Sequence, residues 1–338
     1  MMQRVRPPGH PDVAKAMSAL GRVLQARAQF PQAIAALDEA VRLQSATGAG
    51  RRELAITLQA LGDAHFYAGH FPQADSVFRL GLALDRSVYG DRHPQVAADI
   101  MNIGSVQFQR ANYVEAERAY REGEAMYEGW FGKDHPQTAG AMFLLAQSLV
   151  KLSRPDEAAS LLERSLAIEE RVHKGPHPRR AYVLNALGAN AALRGRQAEA
   201  EQYYRRGADM LRAIYGPDHY LVGASLANVA STWLARRDYP RAEQLLREAL
   251  AIYAKSRPAD DLNIGIARVK LGRALVRQSR WKDAEPHLLA GYEIVNKQAP
   301  ASEWTATSRE DLAATYTALG RPDEARKYRA PPSGSTAP

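Results

Sequence analysis

The stretch LGDAHFYAGHFPQADSVFRLGLALDRSVYGDRHP at 61–94 decides the fold, because it recurs. At 103–136, 42 residues on, the chain reads IGSVQFQRANYVEAERAYREGEAMYEGWFGKDHP. Both stretches open on a large apolar residue followed by glycine and reach an alanine at Ala74 or Ala116. Both then pass a glycine at Gly81 or Gly123 and close on Gly-x-x-His-Pro. Outward from them, the apolar-plus-small pair stands at Leu20-Gly21, Leu61-Gly62, Ile103-Gly104, Leu145-Ala146, Leu187-Gly188, Val229-Ala230, Leu271-Gly272 and Leu312-Ala313, in steps of 41 or 42 residues. Twelve residues after each small member comes Ala33, Ala74, Ala116, Ala158, Ala200, Ala242, Ala284 or Ala325. Nineteen after it comes a second small residue, absent only from the eighth repeat. Self-similarity at a period of roughly 20–50 residues marks a repeat architecture.

Each repeat reads as two helices. The first (helix A) carries the apolar-small pair, and a break such as Ala111-Asn112-Tyr113 follows. The second (helix B) opens at Pro31, Pro72 or Pro240, where the missing N–H of proline costs nothing. In repeat 6 it is expected over Pro240–Lys255, about 24 Å long. The small residues let the two helices approach closely, and Phe78, Tyr120, Leu162, Tyr204 and Leu246, four after the alanine, fill the space beside them. Gly90, Gly132 and Gly216 suit a left-handed position that ends helix B, and the proline after His93 or His135 starts the next helix A.

This framework resembles the tetratricopeptide repeat, and a 42-residue period with His-Pro between repeats resembles its kinesin-light-chain type. The resemblance implies an all-α, right-handed superhelical solenoid of about eight antiparallel helix pairs. Repeats are expected near 10–50, 51–92, 93–134, 135–176, 177–218, 219–260, 261–300 and 301–330. An extension at 1–9 and a disordered tail at 331–338, PPSGSTAP after Ala330, complete the expected organisation. The A helices of such a solenoid line a concave groove that receives a peptide or a partner helix.

Matching the family's pattern places the groove-facing positions three before, one after and five after the small residue of helix A, with the residue two before it also close. These are Ser18, Arg22 and Ala26; Gln59, Asp63 and Tyr67; Asn102, Ser105 and Gln109; Gln147 and Lys151; Asn185; Asn228 and Ser231; and Lys270, Arg273 and Arg277. Kinesin-light-chain-type repeats carry an Asn-Asn pair here, of which Asn102, Asn185 and Asn228 keep one member; an amide offers a bound backbone both a donor and an acceptor. Lys270, Arg273 and Arg277 form one helical stripe, with no acid between 268 and 282. The set resembles the carboxylate clamp of chaperone-binding tetratricopeptide domains. Asn228 and Lys270 fit it, whereas Ala189 and Ile266 stand where polar or basic residues belong. The expected partner is a protein or peptide, acidic or with a free C-terminal carboxylate.

Composition narrows the alternatives. The chain of 338 residues has no cysteine, which removes disulfides, thiolate catalysis and Cys-ligated zinc. Residues 1–20 hold no apolar core of a signal peptide, and the longest apolar-rich stretch, around Ala139 to Val150, falls short of the ~20 residues of a membrane span, so a cytoplasmic protein is expected. The net charge of +8 is uneven. Residues 1–169 carry 18 Lys and Arg against 19 Asp and Glu, net −1, and residues 170–338 carry 27 against 18, net +9. Nucleic acid is not the expected partner, because that needs a continuous basic track with stacking aromatics, and Phe78, Tyr120, Tyr204 and Trp281 sit at packing positions.

His10, His93, His135, His177 and His219 share one repeat position in loops about one repeat apart, so they read as helix-start residues and cannot converge on one zinc ion. His65 and His70 are five apart, poor spacing for one helix face, and His173 and His287 have no partner pattern. Gly48-Ala49-Gly50 lacks the strand and GK[ST] sequel of a phosphate loop, and no G-x-S-x-G or acid pair stands out. Glu115, Glu157, Glu199 and Glu324 precede the helix B alanine, where the helix dipole favours a negative charge. No metal, cofactor or catalytic role is expected. The reading is a non-enzymatic interaction scaffold; its alternative is the regulatory or sensor portion of a bacterial signalling system, associated with a kinase or transcription regulator.

Overall fold

The computed structural model describes residues 10–48 and 50–329; the expected extension at 1–9 and tail at 331–338 lie outside them. Sixteen α-helices follow one another among the described residues, as eight pairs. The A helices are α1 (Pro11–Ala26), α3 (Arg51–Tyr67), α5 (Pro94–Gln109), α7 (Pro136–Lys151), α9 (Pro178–Leu193), α11 (Tyr220–Ala235), α13 (Leu262–Arg277) and α15 (Glu303–Ala318). The B helices are α2 (Phe30–Thr47), α4 (Phe71–Tyr89), α6 (Tyr113–Phe131), α8 (Pro155–Val172), α10 (Gln197–Tyr215), α12 (Tyr239–Ser256), α14 (Trp281–Gln298) and α16 (Pro322–Arg329).

The packing inside a pair follows the repeat. All eight helix B alanines are sealed, seven at 0% exposure and Ala325 at 1%. The residue four later turns onto the small residue of helix A. A Cβ placed on Gly62 would meet the Phe78 ring at 2.5 Å, one on Gly188 would meet the Tyr204 ring at 2.7 Å, and one on Gly21 would collide with Leu37. Glycine is required at these positions by the bulk seated on it, since added volume in such a contact forces costly shifts.

The turn from A to B recurs as closely. Residues 28, 69, 111, 153, 195, 237, 279 and 320 all have positive φ, between 56° and 78°. The amide of the next residue bonds five residues back, as from Asn112 to Gln107 O (2.9 Å) and from Asp238 to Trp233 O (2.9 Å). This is a Schellman ending, so a left-handed residue terminates every helix A, whereas at the end of helix B it stands at Gly48 and not at the expected Gly90, Gly132 and Gly216. Gly90, Gly132 and Gly216, at the end of helix B, do have positive φ (78°, 92° and 88°), but their ψ values of 174°, 167° and 166° are extended. That backbone region is essentially closed to side chains. It redirects the chain toward the extended histidine that precedes the next helix A, His93, His135 or His219.

The chain divides into two compact units, residues 1–169 and 170–338, a division that falls where the charge changes sign. In the first, successive helices from α1 to α7 pack on their neighbours, and Ser165 Oγ, past the middle of α8, donates to Ala139 O of α7 (2.9 Å). In the second, α9 to α16 pack in sequence around a continuous core that runs from Ala181 and Leu211 through Leu246 and Leu271 to Tyr316 and Ala325.

Candidate functional site on the A helices

The A-helix positions sort by access. One residue after the small member, Arg22 is exposed, and Asp63, Ser105, Gln147, Ser231 and Arg273 are half-buried. Five after it, Ala26, Tyr67, Gln109, Lys151 and Arg277 are exposed. The earlier positions turn inward. Ser18 Oγ bonds Thr57 Oγ1 (3.1 Å), and Gln95 Nε2 donates to Gln59 Oε1 (3.4 Å). Asn185 Oδ1 accepts from Ser225 Oγ (3.2 Å) and lies 3.0 Å from where a Cβ on Gly207 would stand, so this amide packs between α9, α10 and α11. Asn102 and Asn228 stay half-buried. Ser105 accepts from the Tyr120 hydroxyl (3.1 Å), and Ser231 donates to Ala227 O (3.0 Å).

The basic stripe of α13 does not hold together. Lys270 is only 6% exposed, and its Nζ lies 4.9 Å from the centre of the Trp304 ring on α15. Burial pushes this ammonium down to about 8, against a smaller opposite pull from Glu303. The position two before the glycine faces the next A helix, and Trp304 covers it. Arg273 donates to Thr307 Oγ1 (3.5 Å) and Arg277 is exposed, which leaves two accessible cations rather than three.

A cleft of about 560 Å³ in the first unit collects five of the expected residues, Arg22, Ala26, Gln59, Asp63 and Tyr67. Gln25, Phe30, Ile56 and Ala60 complete its lining. Phe30 and Tyr67 stack at 6.0 Å with an interplanar angle of 18°. Asp63 makes no hydrogen bond or ion pair among the described residues, and burial raises its carboxyl to about 6. Phe30 is the first residue of α2, where the groove pattern of helix A gives no reason to look; its place in the cleft comes from contact with the neighbouring repeat.

Four members of the histidine row cap a helix. Nδ1 of His10, His93, His135 and His219 accepts from the backbone amide two residues on, at 3.1–3.3 Å, and so caps the next helix. Tyr89, Phe131 and Tyr215 stack on His93, His135 and His219 at 4.2, 4.3 and 4.5 Å. His177 makes no such cap and stacks on His173 at 3.5 Å, a partner that the sequence pattern did not reveal. His65 and His70 also meet, Nδ1 to Nδ1 at 3.4 Å, because His70 lies beyond the end of α3 and the turn folds it back. Another feature without a sequence signal is a pair of buried carboxyls, Asp85 (4% exposed) and Asp99 (2% exposed). Burial above all, with Asp85 beside it, raises Asp99 to about 8.

No helix among the described residues is long and apolar enough to cross a membrane. The human mitochondrial tetratricopeptide repeat protein 19 is 30% identical over 105 residues, 31% of this chain and 27% of that protein. The chain therefore spans well under half of that relative. The solved kinesin-light-chain TPR-like repeats of Podosopora anserina superpose with a TM-score of 0.52 at 19% identity, over 61% of this chain and 98% of that one. A Rap protein complexed with competence and sporulation factor superposes with a TM-score of 0.59 at 13% identity, over 95% and 96%. The tetratricopeptide repeat profile matches residues 12–87, 97–170, 137–213 and 263–328, and a second profile of the same repeat matches 222–260. With its helix pairs, sealed alanines and 42-residue period, the chain belongs to the tetratricopeptide repeat family.

Proposed function

We propose that the chain is a non-enzymatic interaction scaffold that binds a peptide or protein segment on its A-helix face. The observation that carries this reading is the set of accessible polar and charged side chains that repeats 1–4, 6 and 7 place one or five positions after the small residue, among them Arg22, Asp63, Gln109, Lys151, Ser231 and Arg277. A scaffold so built varies its recognition without disturbing its packing, because the positions that hold the pair together are different ones. The proposal keeps a cytoplasmic location and needs no cofactor. In the second unit, Arg273 and Arg277 supply the cations for an acidic segment or a C-terminal carboxylate.

The test is fluorescence anisotropy of an acidic peptide library against the chain and against Arg273→Glu/Arg277→Glu. Affinity is expected to fall about tenfold or more in the double variant. Equal binding by both would remove the acidic ligand from the proposal. Absence of any peptide binding to the unaltered chain would remove the scaffold reading itself.

A second reading makes the array the sensor portion of a signalling system. The fold-level likeness to a Rap protein complexed with a factor favours it. It differs in requiring a change on binding: a ligand that alters amide hydrogen exchange across several repeats supports a sensor, and protection confined to the contacted repeat supports a passive scaffold.

A further inference from the structure

We infer that the cleft between α1 and α3 receives a basic side chain, arginine before lysine, from an extended peptide segment, with Asp63 as its partner and the stacked Phe30 and Tyr67 rings as its wall. This rests on the scaffold reading and adds the class of residue that the first unit selects.

Three observations converge on it. Asp63 sits half-buried in a cleft of about 560 Å³, and no donor from the described residues reaches it. The only other charge in the lining, Arg22, is exposed and forms no ion pair with Asp63. A carboxylate taken out of water without compensation is unfavourable, and burial here already raises Asp63 to about 6. A ligand cation would restore what solvent has lost.

The wall specifies which cation. The faces of Phe30 and Tyr67 are nearly parallel, and Tyr67 remains 63% exposed beside Ile56 at 48%. Aromatic faces attract cations, and a planar guanidinium stacks on them while it presents a fork of N–H donors to a carboxylate. An ammonium forms the charge pair without the stack, hence the order of preference. Ile56 and Ala60 leave room for the methylene stem. Arg22 then faces a main-chain carbonyl of the same segment. The first unit's net charge of −1, against +9 in the second, removes the repulsion that a basic segment would otherwise meet.

The experiment uses the full chain and four pools of fluorescein-labelled decapeptides, amino termini blocked, with one position fixed as Arg, Lys, citrulline or Glu and the others randomised. Anisotropy is expected to rank Arg above Lys above citrulline and Glu, with Arg about tenfold tighter than its uncharged isostere citrulline. Asp63→Asn, which keeps shape and removes charge, is expected to bring the Arg-to-citrulline ratio near one with an unchanged circular dichroism spectrum. Asp63→Glu is expected to restore part of it. A ratio that persists in Asp63→Asn, or equal binding of Arg and citrulline pools by the unaltered chain, overturns the inference and leaves the scaffold reading standing. Failure of all four pools, with the acidic library silent as well, overturns both. A preference that appears only when the amino terminus is unblocked overturns the side-chain assignment in favour of a terminal amine.

Discussion

Asp99 occupies a place in α5 where the other repeats put Thr57, Ala141, Val183, Ser225, Ala267 and Ser308. Its carboxyl lies within hydrogen-bond reach of Asp85 and has a strongly raised proton affinity, to about 8. An acid whose folded pKa is raised binds its proton more tightly in the folded state, so folding gains as pH falls and loses as pH rises above the unfolded value of about 4. Asp99→Asn supplies a neutral donor to Asp85 at every pH. It is expected to stabilise the first unit by about 1 kcal/mol or more at pH 7, and the gain should shrink toward about pH 4, where both forms are neutral. Urea unfolding followed by circular dichroism at the two pH values checks this; a gain that grows on acidification would contradict the assignment. Lys270 is the basic counterpart. Burial lowers it, so its protonation weighs against folding once pH falls below the unfolded value and does so in full below about 8, and its identity as a cation in the sequence says little about whether a ligand can reach it.

At the scale of the element, the A-to-B turn repeats with the same 41- or 42-residue step as the packing residues, yet only Gly69, Gly195 and Gly320 announce it. Ala28, Ala111, Ser153, Arg237 and Ser279 take the same left-handed backbone with a side chain attached. The left-handed region costs an L-residue about 1–2 kcal/mol, and the Schellman bonds hold it there. Ala111→Gly removes that cost and adds entropy to the unfolded chain, for a net stabilisation of about 0.5–1 kcal/mol. Thermal unfolding measures it, and a destabilised Ala111→Gly would show that the turn is not strained. The His-Pro loops are more transparent. An aromatic at the end of helix B, a glycine, a histidine and a proline state in order a stacking partner, a backbone reversal, a cap and a first helical residue, as at Tyr89, Gly90, His93 and Pro94.

Across the whole molecule, an acidic row joins successive repeats inside each unit. Asp75 accepts from Gln107 (2.8 Å), Glu117 from Arg154 (2.8 Å), Glu201 from Arg236 (3.0 Å), Glu243 from Arg280 (2.7 Å) and Glu285 from Arg321 (2.7 Å). These residues sit one position after the helix B alanine, beside the glutamates that the sequence singled out. Of those, Glu157 and Glu324 serve arginines of their own turn, Arg154 and Arg321. For Glu243, burial would raise the carboxyl, but hydrogen bonds from Gln278, Arg247 and Arg280 take it below its ordinary range. Its contribution is therefore present above the unfolded pKa and is lost as pH falls through the folded one. Glu243→Ala is expected to destabilise the second unit by about 1–2 kcal/mol at pH 7 and by less in acid, read from urea unfolding. An unchanged midpoint would mark the row as surface decoration.

The sequence by itself determined the helix pairs, their sealed alanines, the glycines under Leu37, Phe78 and Tyr204, and the caps at His93, His135 and His219. Each of these follows from a local period or from two residues a fixed distance apart in the repeat, and a helix converts such spacing directly into a shared face. It also pointed to Arg22, Gln59, Asp63 and Tyr67, which the cleft brings together. Only the tertiary structure decided that Trp304 covers Lys270, that Phe30 stacks on Tyr67, that Asn185 packs against Gly207, and that Asp99 shares its burial with Asp85. In each of these cases the deciding partner comes from another helix or turn. Its identity varies from repeat to repeat, so periodicity gives the place of the contact and not the chemistry that fills it.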